Sequence, residues 1–233
     1  MISKIKQGVA ELGWKNWLFY ALGRALEAAS GGSVQIFRYT LVAQPVAEAA
    51  YLPSHRGANI EVREISREDL LIASFPRSME MIRERFDQGS RCFAATRNSE
   101  FMGYIWFSLD SHLEDEVRVH YLLPASAMSV WDFDVYVVPE QRMGFVFLRL
   151  WDTAYTFLRT RGVRWSISRI ATGNLASHAA HKRLGATPIG WASFLVLGPI
   201  QVMFSSCSPY VHFSAGQSVA ALHIRDPGQT KRD

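Results

Sequence analysis

Residues 131–186 read WDFDVYVV (Trp131–Val138), PEQRMG (Pro139–Gly144), FVFLRLWDTAYTFLRTRG (Phe145–Gly162), VRWSISRI (Val163–Ile170) and ATGNLASHAAHKRLGA (Ala171–Ala186). The first segment alternates as a strand does, which predicts that Asp132, Asp134 and Tyr136 share one face. A short loop follows. From Gly144 to Thr160 the pattern is that of a long helix, stopping before Gly162. Val163–Ile170 reads as a second strand, and Leu175–Leu184 as a second helix ended by Gly185, where a C-terminal glycine belongs.

Working outward, the chain upstream is rich in strand signals. Asn59–Ile65 alternates like a strand, and Ser66 with Asp69 three residues later resembles a capping box opening a helix. Met79–Gln88 is a helix ending at Gly89. Arg91–Thr96 and Phe101–Leu109 form a hairpin around Asn98 and Ser99. Val117–Leu123 is a strand after the acidic loop Glu114, Asp115, Glu116. Downstream, Gly190–Leu197 and Gln201–Ser205 are a strand pair. The expected fold is α/β or α+β: a mixed, mostly antiparallel sheet flanked by helices.

The first 58 residues are expected as an N-terminal helix and strand extension. Ile2, Ile5, Val9, Leu12, Leu18, Leu22 and Leu26 lie at helical spacing up to the stop at Ser30–Gly32, so 2–29 is an amphipathic helix, with a break near Gly13. Trp14, Trp17, Phe19 and Tyr20 spread around it and call for a second surface. Packing on the domain or on a second subunit is favoured over docking on a membrane surface. Val34–Gln44 reads as a strand, and 45–58, with Pro53 and Gly57, as a linker. The main domain spans 59–206, and 207–233 is a polar tail.

Composition narrows the classes. With 48% apolar and 20% charged residues among 233, the chain is neither disordered nor a membrane channel. The apolar run Trp17–Leu22 is too short for a secretory core or a membrane span. That points to the cytoplasm, including its membrane face. A net charge of +4 suits anionic partners. There is no basic stripe interleaved with aromatics, which argues against nucleic acid. Cys92 and Cys207 sit in apolar strand-like runs and read as reduced structural residues rather than a disulfide. The seven histidines lack the spacing of zinc or iron sites, so no metal is expected.

The stretch 131–186 resembles the GNAT superfamily of N-acyltransferases. Its signature is a strand ending in V-x-P, then [RQ]-x-x-G-x-[GA] opening a helix, then a strand and N-x-x-A-x-x-x-Y-x-x-x-G-F. Two registers fit the loop. Gln141 as first residue places Gly144 and then Val146; Arg142 would instead place Phe145 and Phe147 at the two small positions. The first is preferred because Gly144 then lies where backbone must approach phosphate, and it puts the bulk of Val146 beside that phosphate. Downstream, Asn174, Ser177, His181, Leu184 and Gly185 fall at the Asn, Ala, Tyr, Leu and Gly positions, with Ala186 replacing Phe.

The resemblance implies a donor thioester of acetyl-coenzyme A, a longer acyl-coenzyme A or an acyl carrier protein. Its pyrophosphate would lie on the strand end and loop, Val137, Val138, Gln141, Arg142 and Met143, and on the helix start at Gly144, Phe145 and Val146, because a helix N-terminus offers unpaired N–H groups and a positive dipole end. Asn174 and Ser177 would contact the donor arm. His181, in the Tyr position, would protonate the departing thiolate. An equally weighted reading of His181 is a solvated surface histidine. Asp132 and Asp134 are the general-base pair for the amine acceptor, or else a solvent-facing strand edge. His120 and the acidic loop are fallback candidates. The competing class is a catalytically silent GNAT fold used as a binding or interaction module, favoured by the missing second small residue and the missing Tyr.

Overall fold

The computed structural model describes residues 13–125 and 128–228, excepting the side chains of Lys15, Asn16 and Tyr20. The expected helix over 2–12 and the last residues of the tail lie outside the described residues. The chain divides into two compact units. The first comprises residues up to Pro45, Ser111–Ala127 and Ile167 onward; the second comprises Val46–Asp110 and Met128–Ser166.

In the second unit the strands are β2 (Glu61–Ile65), β3 (Arg91–Arg97), β4 (Glu100–Ser108) and β7 (Ser129–Val137), in the order β7-β4-β3-β2, all neighbours antiparallel. The β3–β4 turn places Asn98 at φ 50° and Ser99 at φ 65°, the pair of left-handed residues that a tight hairpin needs. Helix α2 (Met79–Asp87) starts where the Ser78 hydroxyl accepts from Met81 N–H at 3.2 Å. It buries Ile82 against Tyr104, Trp106, Cys92 and Phe75, a burial worth about 2 kcal/mol for the isoleucine alone. Helix α3 (Val146–Thr160) buries Leu150, Trp151, Ala154 and Leu158, with Trp151 edge-on to Phe107 of β4 at 6.0 Å. The helix expected after Ser66 is instead one 3-10 turn, Leu70–Ser74. Asp69 itself caps it, accepting from Leu71 N–H at 3.0 Å. A carboxylate bonded two residues ahead favours a turn over a longer helix.

In the first unit the order is β11-β10-β9-β1-β8, from β1 (Val34–Pro45), β8 (Trp165–Ala171), β9 (Thr187–Leu197), β10 (Ile200–Ser205) and β11 (Val211–Ala215). A three-stranded sheet adds β5 (Ser111–Leu113), β6 (Val119–Leu122) and β12 (Ala220–His223), with β12 parallel to β6. The stretch expected as an extension therefore supplies a sheet strand: β1 pairs antiparallel with β9 from Val34↔Leu197 to Ala43↔Thr187. The expected polar tail is corrected too. Ala220, Leu222 and Ile224 are buried, and these apolar residues, spaced by two, give 220–224 a face to bury. Helix α1 (Trp14–Ala29) packs on β1, and at Gly23 a Cβ would stand 3.5 Å from Ile36. Trp14, Leu18 and Leu22, one helical face at four-residue spacing, are exposed. Helix α4 (Leu175–Arg183) follows β8. Both cysteines are buried free thiols.

Candidate functional site

In the second unit β7 ends at Val137. Val138 then caps the 3-10 turn Pro139–Gln141, whose first residue is a proline. Arg142 Nε donates to the Val137 carbonyl at 3.2 Å, folding its stem back along the strand end. Gly144 N–H donates to the Gln141 carbonyl at 3.0 Å, and a Cβ at Gly144 would come within 3.3 Å of that same oxygen. A Cβ would crowd this closure, and the glycine does not take a positive φ. Met143 is fully exposed and Phe145 is 40% exposed.

Phe145 occupies the N-cap of α3, and no side chain caps the helix. Ser, Thr, Asp or Asn at such a position normally satisfies an orphan N–H; Phe cannot. The first turn of a 15-residue helix thus keeps its amide donors and its positive dipole end for an anion. Val146 is fully buried. This corrects the expectation of bulk beside the phosphate: the side chain enters the core, and only its backbone faces the helix start. Sequence reasoning missed the segment 54–58. Gly57, at φ 65°, lies against Phe145 and Arg149 so closely that a Cβ would be 3.1 Å from Phe145 Cβ. This sets the Arg56 guanidinium 5.9 Å from the Phe145 ring centre. The only signal in the sequence was a glycine in a linker.

The strand before the loop does not alternate as expected. The β4–β7 register passes from Tyr104↔Tyr136 to Trp106↔Phe133, so Asp134 and Val135 together oppose Ile105. This is a β-bulge, and Asp134 takes φ 48°. The bulge breaks the shared face: Phe133 and Tyr136 both pack on the α2 side, while Asp132, adjacent to Phe133, points away from it. Asp132 is buried and accepts from Ser166 Oγ at 2.7 Å. Asp134 receives Arg77 Nε at 2.8 Å and Nη2 at 2.5 Å, Arg85 Nη1 at 2.6 Å and Tyr104 Oη–H at 3.0 Å. Burial and the adjacent Asp134 carboxylate push the Tyr104 hydroxyl well above its ordinary pKa, so it stays a donor. The two aspartates are therefore not brought together as a pair.

In the first unit Asn174 is the N-cap of α4, its Oδ1 accepting from Ser177 N–H at 3.0 Å. His181 is buried, and its Nδ1 lies 3.0 Å from Oε1 of the buried Gln44 on β1. An amide oxygen only accepts, so Nδ1 carries the proton and the other ring nitrogen is the basic one in the neutral ring. The solvated-surface reading of His181 is thereby corrected. Its neighbour His178 is held below the usual histidine pKa by burial and by His181, against a hydrogen bond to the Ala171 backbone. The acidic loop is an ion-pair centre rather than a solvated one. Arg169 binds Glu114 at 2.8 and 2.6 Å and Glu116 at 2.8 Å, and Tyr39 Oη–H donates to Glu116 at 2.8 Å. His120 Nε2 pairs with Ser111 Oγ at 2.8 Å.

Among the described residues, no group of three or more His, Cys, Asp or Glu is arranged to hold a metal ion. No helix among them is long and apolar enough to cross a membrane.

No family model and no curated protein matches this chain. Solved structures similar to it include a functionally unknown conserved protein from Staphylococcus epidermidis (TM-score 0.49, 14% identity, covering 74% of this chain and 66% of that one). A Drosophila protein shows a TM-score of 0.49 at 16% identity over 75% of this chain and 56% of its own. A tandem GNAT protein from the clavulanic acid biosynthesis pathway shows 0.42 at 16% identity over 71% and 55%. This chain thus spans between about half and two thirds of the length of these structures.

Proposed function

We propose that this chain is a GNAT-type N-acyltransferase that moves an acyl group from a thioester donor to an amine. The observation that carries the reading is the uncapped start of α3, directly after the turn closed by Gln141 and Gly144. Its free amide donors, with the Arg56 guanidinium near Phe145 and Arg142 in the turn that precedes the helix, suit the pyrophosphate of acetyl-coenzyme A or of a longer acyl-coenzyme A. An acyl carrier protein thioester would offer a single phosphate to the same donors. Asn174 and Ser177 keep the role toward the donor arm that the sequence pattern gives them.

The transfer is direct. The amine nitrogen attacks the thioester carbonyl, the C–S bond breaks, the nitrogen loses a proton and the thiolate gains one. The bulge in β7 leaves backbone groups outside the sheet ladder, and such an N–H is a donor for the developing oxyanion. Asp134, engaged by four donors, fixes that bulge, which makes it a positioning residue in place of the base first expected of it. Asp132 stays a candidate base only through its hydroxyl partner Ser166. His181, its Nδ1 held by Gln44, keeps the proton-carrier role that the sequence pattern gives it.

Calorimetric titration with acetyl-coenzyme A, octanoyl-coenzyme A and an acylated carrier protein tests the donor side. Saturable binding of one of them, weakened roughly ten-fold by Arg142→Glu or Arg56→Glu, is expected. No saturable heat with any of the three would sink the proposal. Amine-dependent thiol release then separates an enzyme from a silent binding module.

A further inference from the structure

We propose that a cavity in the first unit, bounded by α1, β1 and the β8–α4 turn, binds a small ligand with an apolar body and one carboxylate, and that Arg38 recognises the carboxylate. The cavity holds about 450 Å³ and is lined by Phe19, Ile36, Phe37, Arg38, Tyr39 and the 171–174 turn. That volume is in the range of small-molecule sites, which are mostly apolar with a few placed polar groups. Among the described lining residues Arg38 is the only one with a charged side chain.

The state of Arg38 is what identifies the ligand. Its guanidinium carbon lies 4.8 Å from the centre of the Phe19 ring and 5.2 Å from that of Trp191. Both rings engage the cation through their π-clouds and offer it no hydrogen-bond acceptor. Nη1 donates to Ser193 Oγ at 3.1 Å, directly across the strand pair where Arg38 faces Ser193. Among the described residues no carboxylate lies within ion-pair distance of Arg38, whereas the neighbouring Arg169 has two. Burial pulls the Arg38 guanidinium below its ordinary pKa, with no anion acting in the other direction. A guanidinium has five N–H donors in one plane, in a fork that matches a carboxylate. Nη1 is engaged by Ser193 and the aromatic partners offer no acceptor, which leaves the remaining N–H donors for a ligand carboxylate. A half-buried cation among aromatic rings without a counter-ion costs stability, and an anionic ligand supplies the missing charge. Phe19, Ile36 and Phe37, all at least partly exposed, supply the surface for the apolar body. The cavity shares Asn174 with the proposed donor site, whereas Arg38, which carries the recognition, has no part in that site.

The test is calorimetry and thermal melting on the full chain with phenylacetate and hexanoate, set against their neutral amides and inorganic phosphate. Saturable binding of an acid is expected, with a preference of roughly ten-fold or more over its amide, the size of a charge-assisted pair. Phosphate, which has the charge without the apolar body, is expected to bind roughly ten-fold more weakly than the acids. Arg38→Gln should abolish the preference of acid over amide. Arg38→Met should melt no lower than the parent and lose the rise in Tm given by phenylacetate. Absence of saturable binding by either acid, equal binding of acid and amide, or phosphate binding as tightly as the acids would overturn the proposal. So would a large fall in the Tm of Arg38→Met, which would mark Arg38 as structural.

Discussion

Replacing Asp134 by asparagine separates charge from backbone geometry at the bulge of β7. Asp134 sits at φ 48°, a region that asparagine tolerates about as well as aspartate, so Asp134→Asn leaves the bulge conformation accessible and removes the charge alone. What remains is the Arg85 guanidinium, whose side chain is only 5% exposed, stacked near Trp106 and Phe133 at 5.6 and 5.2 Å. Removing one member of a buried ion pair costs about 3–5 kcal/mol because the other charge is stranded. Arg77 adds little, since its side chain is 35% exposed and such partly solvated pairs are worth about 0–1 kcal/mol. An asparagine oxygen still accepts one hydrogen bond, so a loss of about 3 kcal/mol is expected, or a Tm lower by about 6–12 °C for a chain of this size. Thermal melting by circular dichroism and urea unfolding measure it. The double variant Asp134→Asn with Arg85→Met removes the buried cation together with its anion and should regain at least about 1 kcal/mol over the single variant. An Asp134→Asn protein melting with its parent, or a double variant less stable than the single one, would refute the view of Asp134 as the buried anchor of the bulge.

Three further outcomes follow from the same geometry. Burial disfavours the charged form of Glu114, but the two-point Arg169 contact more than offsets it and holds the carboxyl below the usual carboxylate range. Its contribution is therefore fully present above the unfolded value, about pH 4.3, and is lost as pH falls through the lower folded value. Glu114→Gln should be about 3 kcal/mol less stable at pH 7, with the gap to the parent closing in acid; a gap constant from pH 7 to pH 3 would contradict this. At Gly103 a Cβ would fall 2.4 Å from the Tyr136 carbonyl oxygen, so Gly103→Ala should cost about 1–3 kcal/mol in urea unfolding, and a neutral result would show that β4 and β7 can separate there. Gln44→Leu removes the acceptor for His181 Nδ1–H and should cost about 1–3 kcal/mol, with nitrogen NMR showing a changed imidazole tautomer balance; an unaltered tautomer would remove Gln44 from its positioning role.

The elements with strong local signals were legible in the sequence. Val34–Gln44, Met79–Gln88, the hairpin around Asn98 and Ser99, and the strand–loop–helix–strand–helix order of 131–186 all correspond to elements of the structure within two residues at either end. Local chemistry suffices there: the turn needs left-handed residues, and Met79–Gln88 and Leu175–Leu184 carry their own start and stop residues, while the apolar period alone marks the uncapped α3. Asn174 as a helix start was legible for the same reason. What tertiary structure decided concerns partners far apart in the chain. That β1 enters the sheet beside β9 depends on an apolar strand finding a mate more than a hundred residues away, and no local pattern encodes the mate. The inward turn of Val146, the saturation of Asp134 by Arg77 and Arg85, and the bond from His181 to Gln44 are likewise long-range. The bulge shows the limit most sharply. A strict period of two places Asp132, Asp134 and Tyr136 together, and a single extra residue against Ile105 reverses the faces. The sequence alone determined which segments are helix or strand and where an anion-binding helix start could lie. Which carboxylates are neutralised by arginines, and that Arg38 is left among aromatic rings without one, was decided only when distant segments packed.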